Sequence, residues 1–457
     1  MKFNSAAMTR GPLFKNIWLY TIPIILTGIL QLLFNAADLI VVGRYSGSLS
    51  VAAVGATGAI TNLIVNMFIG LAVGASVCVA QASGSGDTKR LHDLVHTAIP
   101  ASAICGVVLT LVGVFLADDF LKWMDTPDDV IGLSTVYMQI YFAGMTGSMI
   151  YNFGSAILRA VGDTKSPLYF LTIAGVLNVI LNLVFVIVFK LDVAGVAIAT
   201  SVSQAVSAVL IMITLMHRTD AIRFSFKEMR IHKSELWAII RYGIPAGIQG
   251  SLFSISNVMI QSSINSFGSI AMSGNAAASN IEGFVYTAMN SFSQTSMNFA
   301  GQNHGARQFK RSDKIAVICI FSVTVVGLVL GVGAYLCDEP LLKIYITDSL
   351  EAIAYGKLRM RYICLTYFLC GVMDVMTGML RGIGSSMLPM IVSVVGVCGM
   401  RIGWILTVFS IPEYHTLGCL YLSYPISWLI TFLVELAAFF ILNAKFKKKA
   451  LSETQNC

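Results

Sequence analysis

The chain is a succession of long apolar runs separated by short polar joints, with no two-residue alternation of polarity along the runs. Twelve runs centre roughly on residues 17–42, 51–79, 94–117, 131–157, 167–189, 194–216, 237–264, 270–298, 315–337, 355–379, 387–410 and 417–443. Each is near the ~20 residues that a helix needs to cross a hydrocarbon core. The alternating ten-residue strands of an outer-membrane barrel are not what these runs show. The pattern therefore predicts an all-α integral membrane protein with twelve transmembrane helices.

Composition agrees, because a chain that is 56% hydrophobic and 12% charged fits no ordinary soluble domain. Its nine cysteines form no CxxC or CxxH spacing and mostly sit singly in apolar runs, so they read as small buried side chains. The N-terminal MKFNSAAMTRGPLFKN is polar and leads straight into the first run. No cleavable signal peptide is expected, and the first helix is expected to act as the insertion signal.

Lys and Arg then orient the spans. Of 30 basic residues, 22 fall in the N-terminal segment, the joints that follow even-numbered spans, and the C-terminal tail; seven lie on the opposite side, and Arg401 lies within span 11. By the positive-inside rule the richer side is cytoplasmic, with both termini on it, in a multi-pass protein of the cell membrane. The net charge of +7 follows from this topology and from contact with anionic lipid; nucleic acid is not expected as a partner.

The spans fall into two matching sets. LRAVGDTKSP at Leu158 to Pro167 recurs as LRGIGSSMLP at Leu380 to Pro389, 222 residues on, and Ile22-Pro23 recurs as Ile244-Pro245 at the same offset. Gln81 with Gly84 match Gln302 with Gly305, and Gly195 matches Gly418. The expected organisation is an N-terminal six-helix lobe over 1–216, a basic cytoplasmic linker over 217–236, a C-terminal lobe over 237–444 and a basic tail over 445–457. Because six is even, both lobes enter from the same face, which predicts a pseudo-twofold axis along the membrane normal and the geometry of alternating access. In the repeated motif, Gly162 and Gly384 suit a tight reversal and Pro167 and Pro389 the first turn of the next helix, making these four residues hinge candidates. Arg159 and Arg381 read as headgroup anchors near the negative ends of their helices.

The doubled LR-x-x-G-x-x-x-x-P, the two Ile-Pro pairs, AQASGSGD and GQNHGARQ after spans 2 and 8, and NAADLIVVGR in span 1 together resemble the multidrug and toxic compound extrusion (MATE) family along essentially the whole chain. The resemblance implies a two-lobed antiporter that expels organic, often cationic, amphipathic compounds against an inward proton or sodium gradient. It implies no other cofactor, and its partners would be a small organic substrate and membrane lipid, with the protein monomeric.

Ionisable groups inside the bilayer are costly and are functional candidates by default. Asp38, beside Asn35 in span 1, matches the family's proton or sodium site. Asn178 and Asn182 lie one turn apart on one face of span 5. The family pattern there is Asn followed four residues later by Asp, and Asn182 replaces that second acid. Asp38 with amide oxygens is a candidate Na⁺ site, since that ion favours oxygen ligands. In the second lobe span 7 lacks the Glu of another family branch, leaving Glu282 in span 8 and Asp374 in span 10 as candidate coupling acids; Asp374, about a turn and a half before the cytoplasmic end, also suits a headgroup-facing or Arg-paired structural role. Glu282 lies about eleven residues into its helix, roughly 16 Å deep. Arg401 needs a partner at similar depth, and Glu282 is the expected one, as a switch or as a static pair. Glu435 in span 12 is expected to reach the interface. Tyr151, Asn152, Phe284, Tyr286, Met373, Met376 and Trp404 are candidate cavity residues, soft surfaces able to repack around varied ligands, although such stripes more often serve helix-helix packing or lipid contact.

Two other functions fit the sequence less well. Export or flipping of a lipid-linked or anionic product calls for several cavity-lining bases, and one intramembrane Arg argues against it. An intramembrane enzyme is disfavoured by the absence of HExxH, GxSxG and paired-Asp signatures, with His304 and His415 placed in loops.

Overall fold

A computed structural model describes residues 6–124, 126–346 and 349–455, so the extreme ends of the expected N-terminal lobe and basic tail lie outside the described residues. Two sets of six long helices follow one another, with no strand among the described residues. The first set is α1 (Leu13–Tyr45), α2 (Ser48–Ser85), α3 (Thr88–Trp123), α4 (128–160), α5 (Lys165–Val188) and α6 (Asp192–Met216). The second is α7 (Lys233–Asn265), α8 (Ser269–Gly305), α9 (Phe309–Leu336), α10 (Leu350–Gly382), α11 (Met387–Leu406) and α12 (Leu417–Gln455). All-helical structure is what hydrocarbon demands, since a helix satisfies its backbone polar groups internally. The helices overrun the apolar runs at many of their ends because N–H to C=O pairing continues into the polar flanks.

Nine of the twelve are long and apolar enough by themselves to cross a membrane; the other three are α4, α7 and α8. Gly144 divides α4 into Asp128–Ala143 and Met145–Ala160. The other two are rich in Ser, Asn and Gln, and α8 buries much of that polarity, including Asn275, Ser291, Thr295, Asn298 and Gln302. Their low hydropathy marks helices that face protein as much as lipid. Leu111 and Phe115 of α3, by contrast, stand exposed in the way a lipid-facing stripe requires.

The internal repeat extends to backbone detail. After α4 and after α10 the chain closes with the same cap: Asp163 N–H donates to Leu158 C=O (2.8 Å) and Gly162 N–H to Arg159 C=O (3.0 Å), while Ser385 donates to Leu380 (2.9 Å) and Gly384 to Arg381 (2.9 Å). Gly162 and Gly384 have φ of 98° and 90°, the left-handed conformation such a cap places on glycine. Gly47 and Gly268 precede α2 and α8 with near-identical dihedrals, a matched pair that the sequence motifs do not include. The break at Gly144 also has its counterpart in the 3-10 turn Cys364–Thr366 inside α10.

Packing divides the chain into two compact units, each including a short piece of the other half. Unit 1 comprises Met1–Ala7 and Ile22–Ser251, and unit 2 comprises Met8–Thr21 and Leu252–Cys457. In unit 1 the start of α7 packs on α2 through glycines. A Cβ on Gly70 would lie 2.2 Å from the Gly247 backbone, and one on Gly74 would lie 2.2 Å from Ile239 C=O. This small-residue seam lets two backbones meet where lipid supplies no hydrophobic drive. In unit 2 the start of α1 lies on α8: Thr21 and Thr295 hydroxyls are 2.9 Å apart, and Asn298 donates to Tyr20 Oη at 2.9 Å.

Candidate functional site

In unit 1 the intramembrane acid is built from three helices. On α5, Gly175 leaves space that the Phe34 ring fills, since a Cβ there would be 1.8 Å from it, and this close contact brings α1 alongside α5. One turn beyond Phe34, the half-buried Asp38 meets the polar edge of α5. Asn182 Nδ2 donates to Asp38 Oδ1 (2.5 Å) and to Asn178 Oδ1 (3.2 Å), Thr200 of α6 donates to Asp38 Oδ2 (3.3 Å), and Asn178 Nδ2 donates to Thr200 Oγ1 (3.3 Å). The ring holds one acid among neutral groups, and the buried Asn182 Oδ1 has no donor. A cavity of about 50 Å³ touches Asp38, Asn35, Asn178, Thr200 and Gln204. Asp38, Asn178 and Asn182 therefore share one site, Asn35 lies exposed at its edge, and Thr200 is a member that sequence spacing does not supply.

The expected Glu282–Arg401 pair does not form. Glu282 of α8 is instead clasped by Arg359 of α10: Nε donates at 3.0 and 3.2 Å to the two carboxylate oxygens, and Nη2 donates at 2.7 Å. Arg359 Nη1 donates at 2.7 Å to Asn275 Oδ1, which also accepts from Tyr421 Oη at 3.3 Å. Arg359 is only 7% exposed, although the sequence count puts it with the seven bases of the opposite face. Arg401 lies 4.1 Å over the Tyr424 ring and 5.6 Å from Trp428, with its Nε on Ser427 (3.2 Å). A π-helical stretch at Val394–Gly399 changes the rotational phase between Pro389 and Arg401, so counting from the proline misdirects the side chain.

Two further acids of unit 2, Glu435 and Asp374, are internal as well. Glu435, expected at the interface, is fully buried and accepts from Thr377 (2.9 and 3.0 Å) and Ser393 (2.9 Å). Asp374 faces Arg381, Asn290 and Tyr286.

Several candidate cavity residues are packing residues. Met373 and Met376 are buried in unit 2, Tyr151 is buried in unit 1 with its hydroxyl on Pro167 C=O (3.3 Å), and Asn152 bonds back to Ser148 of its own helix. Trp404 is fixed by donation to Cys419 C=O (3.0 Å), and Phe284 is half-buried. Tyr286 is the more exposed of the set and begins an aromatic row through Tyr367 (6.3 Å) to Trp428 (a further 5.4 Å), which ends beside Arg401. Tyr367, Trp428 and Tyr424 are absent from the sequence-based set. Pro167 and Pro389 sit at the third residue of α5 and α11, each following its glycine cap.

The chain matches the family model described as MatE over residues 23–184 and 245–405, two blocks whose starts are again 222 residues apart. It is 26% identical over 434 residues to the probable multidrug resistance protein YoeA of Bacillus subtilis, covering 93% of each chain. It is 28% identical to YpnP, another probable multidrug resistance protein of that organism, over 86% of this chain and 88% of the relative. A crystal structure titled as MATE in the bent conformation superposes with a TM-score of 0.89 at 21% identity, over 98% of this chain and 99% of the other.

Proposed function

The chain belongs to the MATE family of membrane transporters, and from that premise we propose that it is a cation-coupled antiporter exporting amphipathic organic compounds by alternating access, with Asp38 as the coupling acid. The observation that carries this reading is the composition of the Asp38 ring. Its carboxylate is held by Asn182 and Thr200, both neutral, beside a small cavity. A carboxylate in low dielectric with no basic partner has its charge offset when a proton or Na⁺ joins it. The oxygens of Asp38, Thr200 and Asn178 are of the type that Na⁺ takes. Glu282 is already neutralised by Arg359, and Glu435 has no exposed surface through which an ion could exchange.

Charging and discharging Asp38 changes what Asn182 and Thr200 hydrogen-bond to, and so changes how α1, α5 and α6 are held together. This is a local two-state element that a cation gradient biases. Drug export is supported by the names of the two Bacillus relatives and by the aromatic row Tyr286, Tyr367 and Trp428, which offers faces to flat amphipathic cations. Arg401 favours a second reading, in which the substrate carries an acidic group, because it lies against the Ser427 hydroxyl and the Tyr424 and Trp428 rings. The face bearing both ends of the chain is taken as cytoplasmic, from its excess of Lys and Arg.

The test is transport by the purified protein in sealed vesicles, with a pH gradient and a sodium gradient imposed separately and with a cationic and an acidic fluorescent dye compared. Movement of the cationic dye under one gradient supports the reading and names the ion. Movement of the acidic dye alone moves the substrate class to that of the second reading, and movement of neither under either gradient contradicts both.

A further inference from the structure

At the linker end of unit 1, outside every group used above, three ligand-type side chains converge. His92 and His96 lie one turn apart on α3, which places both imidazoles on one helix face; their ring centroids are 4.0 Å apart. Glu228, from the 3-10 turn Phe226–Glu228 in the linker between the two helical sets, reaches over them. Its Oε2 is 3.1 Å from His92 Nε2 and 3.9 Å from His96 Nε2, and one ligand atom from each residue lies within 4.8 Å of the others.

We infer that His92, His96 and Glu228 form a binding site for a transition-metal dication of the zinc class, which staples the linker to the start of α3. Bonds of about 2.0–2.2 Å in tetrahedral geometry put neighbouring donor atoms roughly 3.3 Å apart. His92 and Glu228 already stand at that spacing, and His96 is within an ångström of it from Glu228. The tautomer of His96 is also the one a ligand needs. Its Nδ1–H donates to His92 C=O at 3.0 Å, leaving a lone pair on Nε2, and a backbone carbonyl on the far nitrogen is the usual outer contact of a metal-bound imidazole. At present that lone pair accepts the Ser225 N–H at 3.1 Å. Binding gives up this hydrogen bond, in a linker residue just before the 3-10 turn, and the one between His92 Nε2 and Glu228, whose proton leaves Nε2 as His92 takes the Nδ1–H tautomer facing Asp93 Oδ1. Phe224 stacks on the other side of His96 and holds the ring in place.

Surrounding groups favour a cation. Asp93 Oδ1 lies 3.8 Å from His92 Nδ1 and 3.6 Å from His232 Nε2, so a carboxylate backs the first histidine and a third imidazole stands close by. Two imidazoles with one carboxylate suit Zn²⁺, Co²⁺ or Ni²⁺ rather than Mg²⁺ or Ca²⁺, which prefer oxygen alone. The site is reachable, because the His92 and Glu228 side chains are 38% and 61% exposed.

The test uses the full chain, purified without affinity-tag histidines, stripped with chelator and titrated with Co²⁺, with Zn²⁺ as competitor. The expected result is one equivalent of Co²⁺ showing the visible bands of low-coordinate N/O ligation, displaced by Zn²⁺. His92→Ala should weaken binding more than about 100-fold, beyond the usual outer-shell effect, and Glu228→Gln should weaken it too. Both residues are exposed enough for folding to survive, which covers the case of a misfolded His96→Ala. His217→Ala, elsewhere in the linker, should leave binding unchanged. Zn²⁺ should raise the thermal unfolding temperature of the wild type and not of His92→Ala. No stoichiometric Co²⁺ uptake, uptake unaltered in His92→Ala, or bands from thiolate ligation would each overturn the site.

Discussion

Arg359 and Glu282 are the group whose removal the structure prices most directly. Their side chains are 9% and 4% exposed, three nitrogen-oxygen contacts of 3.2 Å or less join them, and Asn275 takes a further guanidinium hydrogen. Glu282→Gln leaves a buried guanidinium without its counter-charge, and Arg359→Met leaves a buried carboxylate. Breaking such a pair from one side costs about 3–5 kcal/mol, whereas replacing both members by well-packed apolar groups is close to neutral. Against the singles Glu282→Leu and Arg359→Met, the double variant should therefore recover most of what either single change loses, and two losses of about 3–5 kcal/mol with a near-neutral double give a coupling energy of about 6 kcal/mol or more. Arg401→Ala combined with Glu282→Gln should instead couple by less than about 1 kcal/mol, because the two are joined indirectly, through the Tyr424 ring over which Arg401 (4.1 Å) and Arg359 (5.8 Å) both lie. Equilibrium unfolding in detergent, followed by tryptophan fluorescence across both cycles, reads the two couplings. A Glu282–Arg359 coupling near zero, or a Glu282–Arg401 coupling above about 1 kcal/mol, would refute this assignment.

Three further outcomes follow from local geometry. Gly384→Ala forces a Cβ onto a residue at φ 90° and should destabilise by about 1–2 kcal/mol, as should Gly162→Ala at φ 98°, in the same unfolding assay. Gly247→Val places a Cβ 2.4 Å from Met67 C=O in the α2–α7 seam, and should lower the melting temperature with a cost of at least about 2 kcal/mol, whereas Gly283→Val on α8, where a Cβ meets nothing within 4 Å, should be far milder. Thr200→Val removes one of the two donors to Asp38; a hydrogen bond to a charged group contributes about 1.5–3 kcal/mol, so apparent affinity for the coupling cation should shift about 10- to 100-fold in vesicle transport, with maximal rate less affected.

The twelve helices and their tandem order were readable because a bilayer imposes a minimum length on every span, and because the same cap recurs after α4 and α10. The divided helix α4 and the polar helices α7 and α8 could still be counted as runs, and the repeat gives each its place. Asp38, Asn178 and Asn182 were legible as one site through the family resemblance, the four-residue spacing adding that the two Asn share one helix face. Thr200 was not, because nothing in the α6 sequence shows which hydroxyl turns toward α1. Arg359 was misplaced because it stands between Lys357 and Arg361 at the end of an apolar run, where bases ordinarily reach the interface; only the α8 and α12 neighbours show that it turns inward. Arg401 was matched to Glu282 by depth, and depth leaves direction around the helix open once a π turn intervenes. Met373, Met376 and Tyr151 show the same limit, as soft side chains are equally suited to a cavity and to a core.

The most direct test of the central claim is cation flux in sealed vesicles driven by an outward substrate gradient, with proton and sodium movement recorded together for the wild type and for Asp38→Asn. The account predicts that the wild type moves one of these ions in exchange for substrate, and that Asp38→Asn, while still folded and still binding substrate, loses the ion movement. Undiminished exchange in Asp38→Asn would contradict the account and remove Asp38 from the coupling step.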